Sequence, residues 1–306
     1  MSFAVSFRRF NRLWNPFIAE RQAGWALVSV LWTVALLAIL AASLQALTVT
    51  SWRLDGRAMR AARAEAALDG AVNRAIVGIS DSQMERRWRV DGVPQRFAFE
   101  GADIRVVIQD AKGLIDLNTA NEAPIRQLLQ NAGLTGDQAA ALTDKILDWR
   151  SKSGLRRLHG ASDEDYRARG FSYRQRHGPF QTVDEVKLVM DMTPELFDKI
   201  APALTVYSGV ADPDPSVAPR EVLLALNDND AKSVDAALAR RLRERIMPDD
   251  LPTAVLPGIV DPMTPLDGRS YTIAANIALE GRTFTRQATV EFTGKPQQPV
   301  LFLDWR

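Results

Sequence analysis

Between Trp25 and Leu47 the chain reads WALVSVLWTVALLAILAASLQAL, an uncharged stretch long enough as an α-helix to cross a hydrocarbon core of roughly 30 Å. Three other readings compete: a buried helix of a soluble protein, a cleaved secretory signal, whose apolar region usually spans only about 7 to 15 residues, and an uncleaved anchor. The stretch reads as a transmembrane helix, 25–47. Its orientation does not follow from charge, because Arg8, Arg9, Arg12 and Arg21 precede it while Arg53, Arg57, Arg60 and Arg63 follow it. The second set shares a helix face, which fits a solvated stripe near lipid headgroups or a contact surface for neighbouring subunits.

Immediately before this stretch stands Glu20-Arg21-Gln22-Ala23-Gly24-Trp25, a charged leader that ends in glycine. The junction resembles a prepilin peptidase site, as in type IV pilins and type II secretion pseudopilins, whose leader is cut on the cytoplasmic side while the apolar helix stays attached. The resemblance implies a leader over 1–24, cleavage between Gly24 and Trp25, and a single-pass protein of the cell inner membrane with a periplasmic C-terminal domain. Relatives begin the mature chain with a smaller aliphatic residue or Phe, where Trp25 stands here. Counting from Trp25, the fifth mature residue is Ser29, where major pilins and most pseudopilins carry glutamate.

Beyond the span, Ala61, Ala64, Leu68, Val72 and Ala75 recur at three- and four-residue intervals, so the helix is expected to continue to about Ser80. Arg87 to Val90, Arg96 to Glu100 and Asp103 to Gln109 are rich in strand formers and are broken by Asp91-Gly92 and Gly101, which predicts an antiparallel meander. From Asn118 to about Arg245 the periodicity is helical, with Asn118 and Thr119 as expected caps and Leu128, Leu129, Ala132, Leu142, Ile146 and Leu147 as expected core. Two irregular stretches interrupt it, Lys152 to Gly178 and Gly209 to Pro219. The second contains Asp212-Pro213-Asp214-Pro215 and is expected to be a subdomain boundary. Strand signals return in Ser270 to Leu279, Phe284 to Phe292 and Val300 to Leu303, with turns at Glu280-Gly281 and Gly294-Lys295. A helical block therefore interrupts a sheet.

Composition bounds the function. A chain of 306 residues, 46% apolar and 25% charged, can bury a sizeable core, and Lys plus Arg at 38 against Asp plus Glu at 37 gives no bulk attraction to nucleic acid. Cysteine is absent, which excludes disulfides, thiolate metal sites and a thiol nucleophile.

Several segments carry a resemblance: GLIDLNTA from Gly113 to Ala120, KILDWR from Lys145 to Arg150, GASDEDY from Gly160 to Tyr166, GPFQTVDEVKLV from Gly178 to Val189, MTPELFDKIAPALTVYSG from Met192 to Gly209, and the terminal Asp304-Trp305-Arg306. In this order, behind a prepilin-like terminus, they resemble the K family of type II secretion minor pseudopilins across nearly the whole mature chain. The resemblance implies an α+β fold: a transmembrane helix continuing into a pilin-like helix-plus-antiparallel-sheet roll, with two SAM-like helical units inserted between strands. The expected division is leader 1–24, span 25–47, first part of the roll 48–112, helical units 113–208 and 209–265, and closing strands 266–306. It further implies partnership with the I and J minor pseudopilins at the pseudopilus tip, a role in starting assembly and in exporting folded proteins across the outer membrane, processing by prepilin peptidase, and no enzymatic activity.

Many members of that family bind calcium in the helical domain, in an acid-rich loop after the Asp-Trp pair. Here Asp148-Trp149 leads instead into Arg150-Ser151-Lys152-Ser153-Gly154-Leu155-Arg156-Arg157, and cations oppose a divalent ion. Asp163, Glu164 and Asp165 survive as candidate calcium ligands, although three consecutive acids also suit a solvated loop.

Other classes fit less well. Leu128 to Arg150 resembles a helix-hairpin-helix whose Gly133-Leu134-Thr135-Gly136 turn would offer amides to phosphate, but the equivalent turns at Met190-Asp191-Met192-Thr193 and Leu226-Asn227-Asp228-Asn229 carry acids. His159 and His177 lie on polar loops without a nucleophile. Asp228 and Asp230 fail as an EF-hand because Lys232 occupies the third ligand position. A minor pilin of a type IV pilus shares the leader but not the inserted motifs.

Overall fold

The computed structural model describes residues 19–81, 83, 86–99, 102–153, 155–243, 266–279 and 281–306, so most of the expected leader, residues Glu100, Gly101 and Glu280, and the end of the second helical unit at 244–265 lie outside it. The chain divides into two compact units, one up to Arg63 and one from Ala64 onward.

In the first unit the apolar stretch is helical, with Trp25–Ser43 long and apolar enough to cross a membrane. It belongs to α1, Ala19–Ile79, rich in alanine and leucine and free of proline. The helix ends at Ser80, whose amide and hydroxyl both turn back to the Ile76 carbonyl, at 3.2 and 2.9 Å. Near this end Gly78 makes room for the Trp88 ring, since a Cβ there would stand 2.5 Å from Trp88 Cγ.

The second unit holds the last turns of α1 and two strands, β1 (Gln95–Phe99) and β2 (Ala102–Asp110), followed by a helical block and then β5 (Arg269–Leu279), β6 (Arg282–Lys295) and β7 (Gln298–Trp305). These five form one antiparallel sheet in the order β1-β2-β5-β6-β7. The ladder from Ile104↔Ile277 to Asp110↔Tyr271 joins strands on either side of the block. Arg87 to Val90, expected as a strand, is irregular; only its neighbour Asp91 makes a single bridge, to Gln109. β1 pairs only with Ala102–Val106 and Asp91 bridges to Gln109, so Arg87 to Arg89 run on past Asp110, where β2 gives way to a short helical turn at Ala111–Gly113, and find no ladder partner.

α1 buries one stripe, Ala64, Ala67, Leu68, Ala71, Val72, Ala75 and Ile79, against the alternate residues Ile104, Val106 and Ile108 of β2, Ile273, Ala275 and Ile277 of β5, and Ala288, Val290 and Phe292 of β6. The 3.6-residue repeat of the helix and the two-residue repeat of the strands thus present one apolar face each. The alanines let the helix axis approach the sheet closely.

The helical block contains α2 (Glu122–Asn131), α3 (Gly136–Arg150), α4 (Asp163–Ala168), α5 (Pro194–Ile200), α6 (Arg220–Leu226) and α7 (Ala231–Arg243), with a short parallel pair, β3 (Ile115–Asp116) and β4 (Leu204–Thr205). Leu128, Leu129, Leu142, Ile146 and Leu147 are buried in it. Residues on both sides of Gly209 to Pro219 share this single apolar core, and Val217 and Ala218 within that stretch are buried. The stretch is irregular, as its prolines require, but it does not separate two cores.

Candidate functional site

Gly24 and Trp25 lie within α1, and the Trp25 side chain is 81% exposed. Ser29 donates its hydroxyl to the Ala26 carbonyl at 2.9 Å, Thr33 to Val30 at 2.8 Å and Ser43 to Ile39 at 2.6 Å. Each hydroxyl in the apolar window is satisfied by its own helix, as a segment surrounded by hydrocarbon needs.

The neck of the helical block is the second focus. The chain leaves the sheet at Asp110 and returns at Arg269, and these two form an ion pair with side chains 0% and 4% exposed. Asp110 also accepts the Lys112 amide at 2.8 Å, while burial, outweighing Arg269, pushes its carboxyl above the usual carboxylate range. Gln109 donates to the Val217 carbonyl at 2.8 Å, and Arg241 on α7 donates to the carbonyls of Ala218 at 2.9 Å and Pro215 at 2.5 Å. A Cβ on Gly113 would meet the Val217 carbonyl oxygen at 2.5 Å, so only glycine fits where these two backbones touch. Beside the edge strand β7, Arg306 pairs with Asp184 of the block at 2.8 Å.

The expected caps have other tasks. α2 starts at Glu122, while Asn118 accepts the Phe180 amide at 2.7 Å and donates to the Phe180 carbonyl at 3.0 Å; Thr119 donates to the Val210 carbonyl at 2.6 Å. Beside them, buried Asp116 accepts the amides of Asn118 at 2.7 Å and of Ser208 and Gly209 at 2.9 Å, and the Ser208 hydroxyl at 3.0 Å. The GLIDLNTA segment is therefore a clasp that draws distant parts of the block together. Composition offered no signal for it, since an acid beside an Asn-Thr pair reads as a helix start.

Asp163, Glu164 and Asp165 form the first turn of α4, where successive side chains point about 100° apart. Asp165 accepts the amide and hydroxyl of Ser162 at 2.7 and 3.0 Å, which holds it below the usual carboxylate range. Glu164 pairs with Arg167 at 2.7 Å, and Asp163 faces the Gln175 amide and His177 Nε2 at 3.2 and 3.1 Å. These oxygens do not converge into a calcium shell, and among the described residues no group of three or more His, Cys, Asp or Glu is placed to hold a metal ion. The loop after α3 bonds instead to protein carboxylates: the Arg157 amide meets Asp148 at 3.1 Å and the His159 amide meets Asp144 at 2.9 Å. His159 is exposed, and His177 sits at a positive φ of 51°.

The hairpin turn Gly133 to Gly136 is also occupied. Thr135 and Gln138 satisfy one another's amides in a capping box at the start of α3, so neither amide is free for a phosphate.

Residues 106–209, which span the neck, the clasp and α2 to α5, match the family model for type II secretion system (T2SS) protein K. Type II secretion system protein K of Klebsiella pneumoniae is 27% identical over 204 residues, which are 60% of this chain and 62% of that protein. Over these stretches the chain is similar to type II secretion system protein K. The chain spans about three-fifths of the length of that relative. A crystal structure of the GspK-GspI-GspJ complex from the enterotoxigenic Escherichia coli type 2 secretion system matches with a TM-score of 0.55 at 16% identity, covering 81% of this chain and 96% of that one, and so shares the fold. The shared fold includes the mixed helix and sheet, and among the described residues one helix, over Trp25–Ser43, is long and apolar enough to cross a membrane.

Proposed function

We propose that this chain is a K-type minor pseudopilin that sits at the tip of the type II secretion pseudopilus, starts its assembly and supports export of folded proteins across the outer membrane. The observation that carries the reading is the combination of a membrane-length apolar helix with a sheet whose β2–β5 connection is filled by a block matching protein K. The helix and sheet of the second unit are read as a pilin-like roll, and the block as SAM-like helical units. The anchor is read as single-pass in the inner membrane, with the leader cytoplasmic, prepilin peptidase cutting after Gly24, and the C-terminal domain periplasmic. The partners are the I and J pseudopilins of the same system; the role is one of assembly rather than catalysis.

Ser29 supports a tip position. A glutamate at the fifth mature residue would carry a charge into the bilayer at a cost of roughly 2.5–3.5 kcal/mol unless it met the amine of a subunit ahead. A subunit with nothing ahead has no such amine, and Ser29 already bonds within its own helix. The large block agrees, because its bulk would clash with a subunit stacked above it.

Coexpression of the full chain with the I and J proteins tests the partnership; recovery of neither would end it. Amino-terminal sequencing of the membrane-bound protein should begin at Trp25, and a start at Met1 would remove the peptidase step. Label attached to the helical block should decorate pseudopilus ends; label along the shaft would remove the tip role.

A further inference from the structure

Edge strand β7 carries an aromatic pair that α1 leaves half exposed. In the β6–β7 register Trp305 stands opposite Ala288, Phe302 opposite Val290 and Val300 opposite Phe292. Those three β6 residues are buried under α1, so Trp305, Phe302 and Val300 lie on the α1 side of the sheet. Arg286 bears this out, since its guanidinium is 5.5 Å from the Trp305 ring centre and its Nε is 2.9 Å from Asp69 on α1. Yet Phe302 and Trp305 are 46% and 42% exposed, packed edge-to-face on each other at 5.2 Å. The apolar cover that α1 lays over β2, β5 and β6 stops short of β7.

The strand is a poor template for another strand. Pro299 has no amide to donate, and the β6–β7 register shifts between Thr289 and Val290, beside Phe302, and again between Phe292 and Lys295. Such features keep an edge from pairing with another strand. A partner must therefore meet the side chains on the sheet face rather than the main chain at its edge. α1 itself shows what packs on this face, a helix with a stripe of alanine and leucine, and the open place lies alongside it. The Arg286–Asp69 pair forms a polar rim between the covered and uncovered parts.

We infer that Phe302 and Trp305 receive the apolar stripe of a neighbouring pseudopilin's long helix, laid beside α1. This rests on the proposed pseudopilin function and names the surface through which that assembly is made. Buried aromatic anchors of this kind carry much of the energy of an interface.

The absence of cysteine makes the test direct, because any introduced thiol is unique. Full-length Phe302→Cys is coexpressed in membranes with I and J proteins carrying single cysteines along their long helices, and compared with Leu301→Cys on the opposite sheet face. Disulfide formation from position 302 to one of those helices, with little from 301, is expected. The doubly substituted Phe302→Ser/Trp305→Ser chain should recover I and J at a level lower by about tenfold or more, with an unchanged thermal melt because both side chains are already half exposed. Equal cross-linking from 301, cross-linking only between copies of this chain, or full recovery by the double variant would overturn the inference while leaving the pseudopilin function intact. Failure of the unsubstituted chain to recover I or J would overturn both.

Discussion

Replacing Arg269 by methionine leaves the Asp110 carboxylate buried without its counter-ion. Both side chains are essentially out of solvent, and breaking such a pair from one side costs about 3–5 kcal/mol, because the remaining charge is neither solvated nor neutralised. Asp110 keeps the Lys112 amide at 2.8 Å, which places the expected loss at the lower end. For a unit of this size each kcal/mol moves the melting temperature by about 2–4 °C, so a drop of roughly 6–12 °C is expected. The deficit should depend on pH in a definite direction. Burial already holds Asp110 above its ordinary value, and removing Arg269 raises it further. A carboxyl whose folded value lies above its unfolded value contributes stability that is fully present below the unfolded value and is lost as pH rises through the folded one. The gap between variant and unsubstituted protein should therefore narrow as pH falls from 7.5 towards 5. The assay is thermal unfolding of the full chain in detergent, followed by tryptophan fluorescence, with Asp110→Leu/Arg269→Met as the companion that removes both charges and recovers most of the loss. A melt equal to that of the unsubstituted protein, or a deficit that stays constant with pH, would refute the reasoning.

Leu68→Ala should cost about 2–5 kcal/mol by opening a cavity under α1, whereas Val77→Ala, on the exposed face of the same helix, should change the melt little. Asn118→Ala removes both bonds to the Phe180 backbone and leaves buried groups unpaired, a loss of about 1–3 kcal/mol in chemical denaturation; an unchanged midpoint would show that the clasp does not hold the block together. Melting temperatures in millimolar calcium and in excess chelator should coincide, because the acids of α4 and Asp144 and Asp148 of α3 already accept from protein donors; a calcium-dependent rise would show a site these contacts do not reveal.

Much of the architecture was legible in the residues because it is written in short periods. The uninterrupted apolar run, the three- and four-residue stripe from Ala64 to Ala75, and the alternation in Ser270 to Leu279 each report a local backbone geometry that tertiary packing only had to accept. Segments lacking a period went otherwise. Arg87 to Val90 has strand formers, but β2 ends at Asp110 opposite Val90, so no strand continues beside the segment, and composition could not foresee where β2 would stop. Gly209 to Pro219 looks like a linker because its prolines forbid regular structure, yet Val217 and Ala218 lie in the core, since irregular backbone can be buried wherever other groups meet its amides and carbonyls.

By itself the sequence determined the membrane-length helix, its continuation beyond the apolar stretch, the order of strand, helical block and strand, and the motifs similar to protein K, all of which depend on neighbours within a few residues. Only the tertiary structure decided that Asp110 meets Arg269 across 159 residues, that Asn118 clasps Phe180 rather than capping a helix, and that Phe302 and Trp305 share the α1 side of the sheet yet stay uncovered. Those facts rest on strand register and on chain return, and a charge or an aromatic ring carries no record of which distant residue will arrive beside it.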